Sequence, residues 1–388
     1  MSRLKVATSQ RLLHALEDAP FDGLILGNPS NVAYATGYRS VADAIASGAR
    51  MLACVTKERQ LLVAPAGDAA AALDSGIAED DFVPYGRFFF EASGGQHAAA
   101  SMSDVHADME SALTEAIARS GLTGAIGIDS LVPERIKILL EQQNGVDVVA
   151  EANDWVLSIR ALKTAPEVDL LLSAIKCTEA GLDQALEAAY PGITERELAS
   201  FVARSMVEAN AEPRFLVVTT GPRSAFSDAR ATDRAWEVGE LLRFDVGCTY
   251  KGYWSDIGRT AVLGEASSEQ ERCYAAILAG EEAQLARARP GMTAGQLFDI
   301  AVEAVEDGGI KPYRRHHCGH AIGSDVYEWP IVAPNSVAEL ETGMVFCVET
   351  PYYCLGWGGM MVEDAIQITD EGNKKLTSLD RSLRVVSA

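Results

Sequence analysis

The segment LLRFDVGCTYKGYWSDIGRTAVL, residues 241–263, constrains the fold more than any other part of the chain. It reads as two strands around a turn at Thr249–Gly252. With Thr249 and Gly252 flanking a two-residue turn, Asp245 is expected directly opposite Asp256. Opposed residues share a face of the sheet, with Cβ atoms about 4.5–5.5 Å apart, and like charges in that position destabilise the pairing. An aspartate usually ends a strand or sits in a solvated turn. Here Leu241, Leu242, Phe244 and Val246 surround one, and Trp254 and Ile257 flank the other. A bare carboxylate is costly in such surroundings, and a divalent cation between the two removes the cost. Metal binding is therefore the expectation.

Two further segments point the same way. RRHHCGHAIGSD holds His316, His317 and His320, three of the chain's six histidines, and its glycines argue against a helix. MVFCVETPYYCLGWGGMMVEDAIQI reads as apolar strands that carry Glu349 and Glu363 where carboxylates need a partner. Asp245, Asp256, Glu349 and Glu363 together contribute four negative charges, which two divalent ions neutralise, leaving room for a bound hydroxide. Mixed oxygen and nitrogen donors suit Mn²⁺, Co²⁺, Fe²⁺ or Zn²⁺. Two such ions can generate a nucleophile at neutral pH.

A chain of 388 residues is long for one core and suggests two domains. Its net charge of −22 argues against nucleic acid as a partner. No apolar run reaches the roughly 18 residues needed to cross a bilayer, so no membrane partner is expected. MSRLKVATSQRLLHAL reads as an amphipathic helix without a signal-peptide core, which makes the cytoplasm the expected location. Seven cysteines form no C-x-x-C pair and fit a reduced compartment, with Cys318, between His317 and Gly319, the one closest to the chemistry.

Strands are expected at FDGLILG, on both sides of TKERQ in MLACVTKERQLLVAP, and at GAIGID and VDVVAEA, with helical periodicity around 103–119. That alternation predicts an α/β domain over residues 1–157. Thr164-Ala165-Pro166-Glu167 resembles a helix start, and helices are expected at about 166–189, 194–210, 267–288 and 293–307. Short strands fill 214–264 and 312–370, and no short-period repeat is evident.

The segments FDVG, SDIGRT, GHAIG, VETP and VED, in this order, resemble the pita-bread metallopeptidase family of aminopeptidase P, prolidase, methionine aminopeptidase and creatinase. FDGLILGNPSNVAYATGY resembles the start of a creatinase-type N-terminal domain, while IRALKTAPEVDLLLSA and ARPGMTAGQLFDIA are similar to helices of the catalytic domain. The resemblance implies a creatinase-type α/β domain at 1–157 and an α+β pita-bread domain at 158–388. It implies that Asp245 binds one metal, that Asp256 and Glu363 bridge two, and that His320 and Glu349 complete the second. Glu349 would also take the proton of the attacking water, and His316 would contact substrate. It further implies a homodimer in which a neighbour's N-terminal domain borders the site. The run Phe88-Phe89-Phe90, beside Tyr85 and Arg87, reads as such a lid or simply as core packing.

Three positions depart from the family pattern. GPRSAFSDA puts Asp228 where GPNSALPHH would supply a substrate-binding histidine, Tyr327 stands where HGIG-x-x-x-H would supply a second, and Met361 replaces an arginine two residues before the last glutamate. Asp228, His316, Tyr327 and Met361 are thus the expected substrate contacts, with Glu349, His316 and Tyr327 the catalytic group. The reading is a dinuclear-metal hydrolase of Xaa-Pro dipeptidase or aminopeptidase P type acting on a short peptide. The alternative is the same cage turned to a non-peptide small molecule, by C–N hydrolysis or lyase chemistry, with Asp228 holding a cationic group and Tyr327 donating a proton. A non-catalytic binding module is the third reading, and five intact ligands speak against it.

Overall fold

The computed structural model describes residues 3–45, 48–93, 97–101 and 105–388. The chain divides into two compact units, Met1–Arg160 and Ala161–Ala388, where a boundary after residue 157 is expected from the sequence. In the first unit the strands are β1 (Gly23–Leu26), β2 (Leu52–Thr56), β3 (Gln60–Pro65), β4 (Phe82–Tyr85), β5 (Gly124–Ile128) and β6 (Val146–Glu151). They form one mixed sheet in the order β4-β3-β2-β1-β5-β6. The four inner strands are apolar on both faces because each face is covered by its own buried cluster, one around Leu24, Leu26 and Phe82 and the other around Ile25, Leu113 and Ile126. The helix expected around 103–119 is found at Met109–Ser120; residues 103 and 104 lie outside the described residues. Of the phenylalanine run, Phe88 and Phe89 are exposed and Phe90 packs on the core.

The second unit is a doubled motif. Four long helices, Ala165–Glu187, Glu195–Glu208, Ser268–Arg287 and Ala294–Asp307, each open on a Ser or Thr followed three residues later by Glu or Gln. At Thr194, Ser267 and Thr293 the cap hydroxyl accepts the backbone N–H of that third residue, satisfying a donor the helix itself leaves open. The stretches PGITEREL and PGMTAGQL, which begin the second helix of each pair, are a repeat at a distance of about a hundred residues. Thr194 and Thr293, at equivalent places in them, each make an isolated antiparallel bridge, to Ala235 and Glu339. Each helix pair is followed by antiparallel strands. The first set is β7 (Glu212–Thr220), β8 (Leu241–Tyr250), β9 (Tyr253–Trp254) and β10 (Ile257–Leu263). The second is β11 (Gly319–Ala321), β12 (Glu328–Ile331), β13 (Val345–Glu349), β14 (Tyr352–Cys354), β15 (Gly358–Met360), β16 (Glu363–Thr369), β17 (Gly372–Lys375) and β18 (Arg384–Val386). One sheet runs β18-β10-β8-β7 and the other β12-β11-β13-β16-β17.

The β8–β9 register corrects the sequence expectation. Tyr250 pairs with Tyr253, so the two-residue turn is Lys251-Gly252 rather than Tyr250-Lys251. Lys251 and Gly252 both have positive φ, 50° and 82°, as the hairpin turn compatible with strand twist requires, and glycine is the residue that takes the second place without strain. The shift moves Asp245 opposite Gly258 instead of Asp256. Because side chains alternate with a period of two, a displacement of two residues keeps Asp245 and Asp256 on one face, now as diagonal neighbours.

Lys163, just before the first helix of this unit, ion-pairs with Glu328 at 2.8 Å with both side chains almost fully buried. Glu328 also accepts the backbone N–H groups of Ser324 and Asp325, so the pair pins the segment that carries Tyr327. Breaking a buried pair strands the remaining charge and costs about 3–5 kcal/mol. Lys163→Met is therefore expected to lower the melting temperature of the second unit by about 6–20 °C, at roughly 2–4 °C per kcal/mol for a domain of this size. Calorimetry of the two proteins checks this.

Candidate metal centre

Strand parity and cross-strand pairing bring the acidic residues together. In the second sheet Glu349 of β13 lies directly opposite Glu363 of β16, and His320 of β11 pairs with Cys347, two residues before Glu349. The first sheet contributes Asp245 from β8 and Asp256 from the link between β9 and β10. Ligand atoms of Asp245, Asp256 and Glu363 lie within 4.8 Å of one another, as do those of His320, Cys347 and Glu363. Gly258, the cross-strand partner of Asp245, allows this approach: a Cβ there would stand 2.5 Å from Met361 Cγ and 3.2 Å from Glu363 Cβ. A side chain at Gly258 would fill the space between the sheets.

The donor atoms fit a divalent cation. His320 Nδ1 lies 3.1 Å from the Ala321 carbonyl, which can only accept, so the ring proton sits on Nδ1 and Nε2 is left as the lone pair. That nitrogen points at Asp256 Oδ2, 3.6 Å away, and Glu363 Oε1, 3.9 Å away. His320 Nε2, Asp256 Oδ1 and both oxygens of Glu363 are buried with no hydrogen-bond partner among the described residues, an expensive state that a cation relieves. Cys347 does not compete: its thiol donates to the Asp256 carbonyl at 3.7 Å, and burial pushes its pKa well above the ordinary thiol value. Cys318, singled out in the sequence, is fully buried and its pKa is also raised by burial.

The electrostatics separate the carboxyls. Burial and the neighbouring Asp256 push Asp245 up to about 7, against the pull of Arg243. Burial also raises Asp256, and raises Glu363 well above the carboxylate range with Asp256 and Glu349 adding to it. Glu349 alone among the four is held below its usual value: burial opposes this, but His317 and Arg315 outweigh it. His317 Nδ1 stands 2.9 Å from Glu349 Oε1 and Arg315 Nη2 stands 3.7 Å from Oε2.

A cavity of about 570 Å³ opens over these groups, and Asp228, Asp245, Asp256, His316, Tyr327, Glu349, Met361 and Glu363 all line it. His320 lies beneath, fully buried, with the Tyr327 ring stacked on it at a centroid distance of 3.9 Å. Burial and the carboxylates around it raise the Tyr327 phenol, so it stays protonated. His316 is exposed at the wall, edge-on to His317 at 4.2 Å. Asp228 is exposed at the rim, accepting from Ser227. Its loop is anchored by Glu195, which accepts from Thr220, Arg223 and Thr232. Met361 is buried against Arg243.

Comparison with known proteins completes this picture. Residues 169–370 match the model of metallopeptidase family M24, and residues 9–161 match the creatinase/prolidase N-terminal domain. The chain belongs to metallopeptidase family M24. It is 32% identical over 263 residues to the Xaa-Pro dipeptidase of Pyrococcus furiosus, covering 67% of this chain and 76% of that one. The prolidase of Pyrococcus horikoshii OT3 superposes with a TM-score of 0.80 at 26% identity, over 97% of this chain and 99% of that one. The X-Pro aminopeptidase of Thermotoga maritima shares the fold, with a TM-score of 0.80 at 24% identity and coverage of 97% and 99%. The M24 chain is thus a metal-dependent hydrolase with a creatinase-type domain before a pita-bread domain, and divalent metal ions are its cofactors. No helix among the described residues is long and apolar enough to cross a membrane.

Four residues at the centre stand outside the expected set of site residues. Arg243 was legible: it stands two residues before Asp245 in a strand and so shares its face. His317 was seen only as part of a cluster. Arg315 reaches the cavity from a loop and Tyr353 from the middle of the short strand β14, and nothing local in the sequence marks them.

Proposed function

We propose that this M24 enzyme is a dinuclear Xaa-Pro dipeptidase or aminopeptidase of the aminopeptidase P type, hydrolysing short peptides with manganese as its preferred metal. The observation that carries this reading is the set of bare, buried donor atoms on His320, Asp256 and Glu363, with Asp245 and Glu349 beside them. The names of the Pyrococcus relatives support the substrate class. Divalent cations bound there would make a water nucleophilic at neutral pH and draw electron density from the scissile carbonyl.

The protein's own groups divide the remaining work. Glu349 is the carboxyl that stays ionised while its neighbours are pushed up, which equips it to take the water's proton and pass it to the leaving nitrogen. His317 holds that carboxylate in place. His316 and the protonated Tyr327, both on the cavity wall, bind and orient the carbonyl.

Metal-stripped protein reloaded with Mn²⁺ is expected to release amino acids from Xaa-Pro dipeptides or Xaa-Pro-initiated peptides, and Glu349→Gln to lower kcat by about 10²–10⁴-fold. Loaded protein that cleaves neither substrate sinks the reading. Asp228 favours a second reading, in which the rim anion receives the cationic group of a non-peptide substrate whose C–N bond is cleaved. Wild-type rates in Asp228→Ala on every cleaved substrate count against that alternative.

A further inference from the structure

Two guanidinium groups lie over the ring of Tyr353, at 5.2 and 5.5 Å from its centroid, and the protein uses up the donors of only one of them. Arg243 is completely buried in β8. Its Nη1 donates to Asp245 Oδ2 at 3.1 Å, its Nε to the Ser224 carbonyl, and its Nη2 to the carbonyls of Phe226 and Ser227. Arg315 lines the cavity with a side chain only 10% exposed. Its ion-pair partner Glu349 stands 3.7 Å from Nη2, beyond hydrogen-bond length. Its Nε is buried without a partner, and no acceptor among the described residues takes a hydrogen bond from the guanidinium. Buried polar groups are nearly always paired, so an idle guanidinium in a cavity wall is a donor set built for a ligand. The contact with Tyr353 holds it in place without occupying its N–H groups, which remain to grip a carboxylate through two parallel hydrogen bonds.

The place of Arg315 beside Glu349 decides which carboxylate it can reach. Glu349 passes a proton to the leaving nitrogen, which must therefore come within about 3 Å of it. In the residue that leaves, nitrogen and carbonyl carbon are separated by one α-carbon and lie about 2.5 Å apart. A guanidinium 3.7 Å from Glu349 stands next to that carbon. In a dipeptide the carbon belongs to a free carboxylate. In any longer peptide it belongs to a neutral amide, and the next residue has to pass where Arg315 stands. We propose that Arg315 binds the free carboxylate of the departing residue and so makes the enzyme a dipeptidase rather than an aminopeptidase. The inference rests on the peptidase reading above and selects among its substrates.

Steady-state kinetics of the Mn²⁺-loaded enzyme on the dipeptide Ala-Pro, its C-terminal amide and the tripeptide Ala-Pro-Gly test it. The wild type is expected to prefer the free acid over the amide and the tripeptide by about thirty- to a hundredfold in kcat/KM, the range that hydrogen bonds to a charged group supply. Arg315→Met is expected to bring the ratio of acid to amide to within about threefold, mainly through a higher KM for the acid. Because Arg315 also pairs with Glu349, both rates can fall in that variant, and the ratio is the readout: a role exerted only through Glu349 lowers acid and amide alike and leaves the ratio unchanged. Arg315→Lys, which keeps the charge but not the paired donors, should hold an intermediate ratio. Proline, the product that carries the same carboxylate, should inhibit the wild type at least tenfold more strongly than prolinamide does. Equal rates on acid and amide in the wild type, or a wild-type ratio in Arg315→Met, overturn the carboxylate assignment and leave the peptidase reading standing. Loaded enzyme that cleaves none of the three overturns both.

Discussion

Glu363→Gln is expected to abolish activity and divalent-metal uptake while making the metal-free protein more stable. Both Glu363 oxygens are buried without a hydrogen-bond partner among the described residues, and the carboxyl sits directly across the ladder from Glu349 with Asp256 close by. Without metal, folding at neutral pH must either bury it ionised beside like charges or hold it protonated, as its raised pKa indicates, and either costs stability. The amide removes that charge and offers two N–H donors to the neighbouring carboxylates. It cannot serve as an anionic ligand shared between cations, so hydrolysis should fall below detection. Removing the cost of burying or protonating this carboxyl is worth about 1–3 kcal/mol, which a domain of this size shows as a rise of roughly 2–12 °C. Opposite signs for activity and stability are what a site built for function produces. Metal counting and melting curves in chelator decide it: a variant that keeps two equivalents of Mn²⁺, or melts lower than metal-free wild type, refutes the placement of Glu363 at the heart of the cage.

Much of this centre was legible before any coordinates, and the places where reading stopped have physical causes. The helix starts at Thr164, Thr194, Ser267 and Thr293 are local events written in four residues each, and the ordered ligand segments carry the family fold. The hairpin register differs from the expected one by two positions because the turn needs a glycine in its second left-handed place, and Gly252 takes that place. Period-two alternation spared the conclusion, since Asp245 and Asp256 stay on one face under that slip. The doubled PGIT and PGMT motifs escaped because a period near a hundred residues is visible only when helix pairs and their strands are compared as units. The charge count suffered most. Four acids in strands could be tallied from sequence, but the cations that oppose them come from a strand neighbour, Arg243, and from a loop residue, Arg315, whose proximity is tertiary.

Metal affinity should rise steeply with pH below neutrality, for the same reason that the metal-free protein should lose stability over that range. Asp245 titrates near 7, Asp256 and Glu363 are raised, and His320 is drawn up because Asp256 outweighs the effect of burial. In the unfolded chain the carboxyls titrate near pH 4. Between those limits the folded metal-free protein holds more protons than the unfolded one, so its stability falls with increasing pH. The contribution of the protonated carboxyls is fully present below about pH 4 and, for Asp245, is lost as pH passes through its folded value of about 7. A cation must displace those protons, and each proton released makes its affinity about tenfold stronger per pH unit. With two protons leaving, Mn²⁺ binding is expected to tighten about a hundredfold between pH 5.5 and 6.5. Calorimetry in two buffers of different ionisation enthalpy counts the protons directly. A dissociation constant that does not change across this range, or metal-free protein that melts higher at pH 8 than at pH 5, would show that the carboxyls are not crowded as the structure places them.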